Sequence, residues 1–365
     1  MHKPLFPKAL LRLVGFVFLA VLVRAGFSAA AEIEMHRLFG PEIPTGKYKH
    51  PASFDELSNG DLYLVYYGGD GEYAEGTAVF GSRLHKGTNE WSKPEKIASH
   101  PFRSLGNAVV WQAPDGVVWL FYVMRYGETW STSRIAGKIS RDSARTWSDA
   151  FPITFEEGTM VRSRPIVLGQ GDFLLPIYHE TGHDPEFTAP TTCSLFLRFD
   201  ARKKTWNESN RVYSRLGNLQ PAVAAISATH LIAYCRRGGD YEPRKDGYLV
   251  RTESEDGGKT WSAGKETSIP NPNAAVDFIA LKNGHLLLVF NDSMNDRTPL
   301  TAAVSTDQGR TFAHRRDLVS GPGDFAYPTA VQTRDGKIRV VFTSDERTVI
   351  RMAEFEEGYV LRESN

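Results

Sequence analysis

The sequence predicts an all-β chain, a six-bladed β-propeller following an N-terminal signal peptide, and three observations predict it. One octet recurs. Ser254-Glu255-Asp256-Gly257-Gly258-Lys259-Thr260-Trp261 reads as a tight turn, with Asp256 accepting turn amides, two glycines permitting positive φ, and Trp261 tucked beneath. Ser140–Trp147 repeats it with Ala144 in a glycine's place, and Ser305–Phe312 repeats it with Phe312 for the tryptophan. Worn copies end at Trp91 and Trp206, so the aromatic residues recur at intervals of 51–59 residues. Hairpin turns keep phase with them, at Asn59-Gly60, Asp115-Gly116, Asn283-Gly284 and Asp335-Gly336. Gly169-Gln170-Gly171 and Ser227-Ala228-Thr229 occupy the same slot in the two remaining units. Finally, no segment sustains a 3.6-residue apolar period, so helices should be scarce. A repeat of this length, in six units, is the mark of a propeller.

The elements follow in order. Lys3, Lys8 and Arg12 precede the apolar run Leu13–Val23, and Ala29-Ala30-Ala31 offers a cleavage site before Glu32. Eleven apolar residues are too few to span a bilayer, so residues 1–31 read as a secretory signal peptide and the mature chain as exported, secreted or periplasmic. The strand near Ile33–Leu38 is expected to complete the sixth blade and join the two ends of the ring. After each hairpin turn comes a short buried strand: Leu62–Tyr67, Val117–Tyr122, Phe173–Tyr178, His230–Tyr234, His285–Phe290 and Ile338–Phe342. No linker interrupts residues 32–365, which are expected to form one domain.

Composition narrows the function. Forty-three acidic residues balance 43 basic ones, which gives no global attraction to nucleic acid or to an anionic membrane. Cys193 and Cys235 are open to two readings, a disulfide in an oxidising compartment or two buried apolar fillers. No His-Glu-x-x-His, phosphate loop or Gly-x-Ser-x-Gly elbow occurs, and no metal or cofactor is expected.

In a propeller the first strand of each blade lines the central channel, and the aspartate turns lie at the far end of the blade from the loops that follow the second strands. The repeated octet is therefore structural. Counting back from each hairpin turn gives the channel positions His50, Asn107, Arg164, Gln220, Asp277 and Tyr327. Loops after the second strands add Asp70, Glu72 and Glu75, then Arg125, His179 with Glu180, Arg236 with Arg237, Arg297, and Asp345 with Glu346. Several guanidinium groups at one mouth fit an anionic ligand, and carboxylic acids beside them fit glycosidic bond cleavage.

Aspartate-box turns on a six-bladed ring resemble the sialidase superfamily, specifically its BNR-repeat, sialidase-like branch, over nearly the whole mature chain. The resemblance implies three arginines that hold a substrate carboxylate, a tyrosine nucleophile served by a glutamate, and a first-blade acid/base. Tyr327, in Phe325-Ala326-Tyr327-Pro328, stands at the nucleophile's place. Arg236 and Arg297 match the second and third arginines, and Glu72, with Asp70 and Glu75 as alternatives, matches the acid. The chain departs from the pattern at His50, where the first arginine is expected, and at Gln220, where the tyrosine's glutamate is expected. Neutral histidine cannot make the bidentate pair, and an amide cannot accept the phenol's proton. An acidic or sulfated sugar other than sialic acid is then open, with Asp277, Glu72 and Glu180 supplying the carboxylate pair and Arg164, Arg236 and Arg297 the cations.

Three functions fit these residues. The first is an exported glycosidase on a terminal acidic sugar of a glycan. The second is a lyase of uronate polysaccharide with His50 or His179 as base and Tyr327 as acid. The third is a propeller that binds carbohydrate without catalysis.

Overall fold

The computed structural model describes residues 1–2, 32–185 and 187–362. The expected signal peptide therefore lies outside the described residues almost entirely. From Glu32 onward the described chain falls within one compact unit.

Six antiparallel sheets follow one another along the chain. Blade one comprises Tyr48–Glu56, Leu62–Gly69, Ala78–Leu84 and Glu95–Ala98. The first strands of blades two, four, five and six are Ser104–Gln112, Asn218–Ala225, Asp277–Ala280 and Ala326–Gln332. Blade three differs, since its first strand is broken into Thr159–Val161 and Ile166–Val167, both paired with Phe173–His179. The sixth sheet is closed by Glu34–Phe39, which pairs with Val349–Phe355 as its outermost strand, as the sequence led us to expect. The first strands of blades six and one lie side by side, which completes the ring.

The apolar runs are continuous because each second strand is buried on both faces, as strands covered on two sides are. Successive side chains point to opposite seams. In blade five Leu287 and Val289 pack toward blade six, with Val340 and Phe342, whereas Leu286, Leu288 and Phe290 pack toward Tyr234 of blade four. In blade one Tyr63 and Val65 face blade two, while Leu64 and Tyr66 face blade six. One apolar cluster fills each of the six seams.

The octets close the turns between third and fourth strands. Asp256 Oδ1 accepts the amides of Lys259 and Thr260 at 3.0 and 2.9 Å, and Ser254 Oγ accepts that of Gly258 at 2.9 Å. Ala144 adopts φ 60° where the parallel position holds Gly258 at 84°, so the turn overrides the residue's own preference. Trp261 stacks on Phe196 with centroids 3.8 Å apart. Strand register places these turns at the hairpin end of the blades: Ser254 pairs with Leu231 and Leu231 with Ala225, whereas Leu219 at the other end pairs with Arg236. Cys193 and Cys235 are buried free thiols, which decides between the two readings of the cysteines.

Candidate active site

Four of the six channel strands carry a bulge near their start. The register slips between His50 and Ala52, Gly106 and Val109, Leu219 and Ala222, and Ala326 and Thr329. The bulged residues Asn107, Gln220 and Tyr327 adopt φ of 40°, 52° and 58°. Left-handed backbone is uncommon for these residues, costs of the order of 1–3 kcal/mol each, and persists only where the surroundings enforce it. It re-aims the side chains at the channel mouth. Arg162 enforces it at Tyr327, donating from Nη2 to the Pro328 carbonyl at 2.8 Å and from Nη1 to Thr329 Oγ1 at 3.1 Å. Its guanidinium lies 5.5 Å from the Tyr327 ring centroid.

The side chains form one network. Arg236 donates from Nη1 to Tyr327 Oη at 2.9 Å and to Gln220 Oε1 at 3.1 Å, from Nε to Asn273 Oδ1 at 2.6 Å, and from Nη2 to Tyr241 Oη at 3.0 Å. Asn107 donates to Tyr178 Oη at 3.1 Å. Arg297 lies over the rings of Tyr241 and Tyr327 at 5.6 and 5.5 Å, with one hydrogen bond to the Asn273 carbonyl. Arg347 donates to Glu72 Oε2 and to Tyr48 Oη, and Trp130 Nε1 donates to Glu72 Oε1 at 3.2 Å.

These groups line two joined recesses. The outer one, about 310 Å³, is bounded by Glu72, Tyr73, Pro185, Tyr241, Arg297, Asp324, Tyr327 and Arg347. The inner one, about 40 Å³, adds His50, Asn107, Tyr178, Glu180, Gln220 and Arg236. A larger groove of about 740 Å³ lies at the outer seam of blades six and one, among Arg37, Trp91, Arg339 and Glu354. Two of its arginines are already ion-paired, Arg37 with Glu42 and Arg339 with Glu354, and none of the channel residues lines it.

Electrostatics separate the titratable groups. Burial pushes the Tyr327 phenol up, but Arg236, Arg297 and Arg347 outweigh it and bring it down to about 8, against the opposing charge of Glu72. Burial raises Glu180 to about 7, with Glu72 adding to the shift and Arg236 opposing it. His50 is held neutral, well below the usual imidazole range, by burial and then by Arg347, Arg297, Arg162 and Arg236. Its Nδ1 bonds Thr343 Oγ1 at 2.8 Å and its ring sits 4.1 Å from that of Tyr327.

Of the residues named from sequence, Glu72, Tyr327, His50, Glu180, Arg236, Arg297, Asn107 and Gln220 come together at this mouth. Three do not. Arg164 pairs with Asp55 at 2.9 Å, and Asp277 accepts the amide of Ala330 at 2.6 Å, so both belong to the channel wall away from the pocket. The count from the hairpin turn fails in blades three and five because those strands are irregular. The residues that reach the Tyr327 network there are Arg162, two before Arg164, and Asn273, four before Asp277. His179 turns outward to Glu156, 3.5 Å away. Arg125 and Arg237 are committed to backbone carbonyls.

Sequence reasoning missed Arg347, Tyr241, Tyr73 and Trp130. The sequence offers Asp345 and Glu346 as rim acids, yet residues 345–347 all adopt φ of 54–63°, and this left-handed turn presents Arg347 instead. The only available signal was an arginine in the loop after a second strand, the criterion that found Arg236 and Arg297.

A family model described as BNR repeat-like domain matches residues 60–340. Solved structures agree in fold. A Hadza microbial sialidase superposes with TM-score 0.75 at 15% identity, over 90% of this chain and 69% of that one. An intramolecular trans-sialidase from Ruminococcus gnavus gives 0.73 at 12% identity, over 90% and 98%. An α-L-arabinofuranosidase from Fusarium graminearum gives 0.65 at 13% identity, over 91% and 100%. No curated protein matches. Six radial sheets, the aspartate-box turns and the family match together assign the chain to the BNR repeat-like family, within the sialidase-like superfamily.

Proposed function

We propose that the protein is an exported glycoside hydrolase that removes a terminal acidic sugar, sialic acid or a related anionic sugar, from a glycan. The observation that carries this reading is the set of three guanidinium groups around Tyr327, with Arg236 donating to its hydroxyl, Arg297 over its ring and Arg347 lining the same recess. Arg236 has its donors engaged, whereas Arg297 and Arg347 keep donors toward the outer recess and would hold the sugar's anionic group. Tyr327 attacks the anomeric carbon. A phenol suits a substrate whose own carboxylate would repel a carboxylate nucleophile, and the arginines supply the activation that Gln220 cannot. A carboxylic acid of the pocket, placed at Glu72 by the resemblance, protonates the leaving oxygen.

A lyase of uronates is the second reading, favoured by neutral His50 packed against Tyr327. Incubation with sialosides and with uronic-acid glycosides separates the two, since hydrolysis yields a saturated reducing sugar and elimination an absorbing unsaturated product. Tyr327→Phe is expected to lower kcat by about 10³-fold or more. Unchanged turnover in that variant removes Tyr327 from the chemistry. Retained glycan binding with no product from the wild type leaves the binding propeller.

A further inference from the structure

We propose that Glu180, in the third-blade loop, is the proton donor to the leaving oxygen, and that Glu72 is a positioning residue that fixes Arg347; this rests on the glycosidase reading above.

The two carboxylates face one pocket and differ in their commitments. Both Glu72 oxygens are taken, Oε1 by Trp130 and Oε2 by Tyr48 and Arg347. To give a proton to a glycosidic oxygen, Glu72 would have to carry that proton on an oxygen facing an indole N–H, a guanidinium or a phenol, all of which donate to it in this geometry. Glu180 is the reverse case. Its backbone is pinned, with the amide donating to the Gly158 carbonyl at 2.8 Å. Gly158 is at φ 85°, and a Cβ there would meet the Glu180 carbonyl oxygen at 2.4 Å, so the approach needs glycine. The carboxylate itself has no hydrogen-bond partner among the described residues, and it lines the inner recess with Tyr327, Asn107 and Gln220. The charged and titratable groups facing it are Arg236 from blade four, Glu72 and Tyr73 from blade one, and Tyr178 of its own strand. Burial and Glu72 favour its protonated form, which supports the role.

The step balances without another reagent. Tyr327 first gives its proton to solvent, favoured by Arg236, Arg297 and Arg347; its phenolate oxygen then bonds the anomeric carbon as the glycosidic carbon–oxygen bond breaks, and the Glu180 proton passes to the departing oxygen. Water then adds to the anomeric carbon and gives its proton to the Glu180 carboxylate. The tyrosyl bond breaks, and both groups return to their starting states.

The test uses full-length wild type, Glu180→Gln and Glu72→Gln on paired 4-nitrophenyl and methyl glycosides of N-acetylneuraminic and glucuronic acids. A nitrophenolate leaves without protonation, and an alkoxide does not. Glu180→Gln is expected to lose about 10²–10⁴-fold in kcat/KM on the methyl glycoside while keeping most of its kcat/KM on the nitrophenyl one, since that ratio reports the first step alone, and to lose the basic limb of its pH profile. Glu72→Gln should lose equally on both, mainly in KM. Equal losses of kcat/KM in Glu180→Gln, or the leaving-group split appearing in Glu72→Gln, would overturn the assignment while leaving the glycosidase reading intact. A wild type that cleaves none of the four overturns both. A thermal midpoint of Glu180→Gln no lower than wild type at pH 8 excludes misfolding as the cause of its loss.

Discussion

Tyr327 is where the local physics is most concentrated. It holds left-handed backbone and a buried ring among four guanidinium groups, of which Arg236, Arg297 and Arg347 bring its acidity down. Removing one cation should raise the phenol's pKa and removing the nearby carboxylate should lower it. The phenolate absorbance assigned by Tyr327→Phe difference is therefore expected to titrate near 8 in wild type. It should move upward in Arg347→Gln and downward in Glu72→Gln. Identical titration in all three would mean that the guanidinium groups do not set the phenol's charge. Glu180 makes a stability prediction of opposite sense. Its folded pKa is raised from 4.5 to about 7, so the folded state binds the extra proton and stability falls as pH rises through that window. Glu180→Gln should match wild type below pH 4.5. Above pH 7 it should be more stable, by of the order of 1–3 kcal/mol after allowing for solvent that reaches the carboxylate. Denaturant midpoints across that range check it.

Among the elements, the blade is held by two devices with different chemistry. The octet turn satisfies its own amides through an aspartate, and the aromatic residue that ends it anchors the turn to the neighbouring blade, as Trp261 does against Phe196. Trp261→Ala removes that stack from a site 5% exposed and should cost about 3–5 kcal/mol in unfolding free energy. Because the turn lies at the hairpin end of the blade, glycan affinity of the folded variant should be unchanged. A matching loss of affinity would contradict that placement. The bulge at the opposite end of the first strands works in the other direction, giving up regular pairing to aim a side chain at the mouth. Blades three and five, with the shortest first strands, illustrate the cost to sequence reading: there the offset from turn to channel residue is not that of the other blades.

For the whole molecule, ring closure makes the site. Residues of all six blades meet at this mouth only because the sheets are radial and the first and last are adjacent. Glu34–Phe39 contributes the outer strand of blade six, and Phe39 packs in the cluster between blades six and one. Deleting residues 32–39 would bare the Val349–Phe355 edge, an unpaired strand being a template for aggregation. A lower thermal midpoint and concentration-dependent aggregation are expected, and an unaltered midpoint would show that the closure strand is dispensable.

Much of this was legible in the residues. The octets, the hairpin dipeptides and the two-sided apolar runs gave the blade number and the partner of the sixth sheet, because each depends on local spacing and on burial of both strand faces. Tyr327, Arg236, Arg297, Glu72, Glu180, His50, Asn107 and Gln220 were also readable as positions in a repeat. What the tertiary structure alone decided is which of those positions face one another. Arg347 enters through a three-residue left-handed turn, Arg162 and Asn273 displace Arg164 and Asp277 through irregular strands, and His179 turns outward. Sequence spacing fixes where a residue falls along a strand. The direction in which its side chain points at a bulge or a turn depends on φ, and that is set by the neighbouring blades.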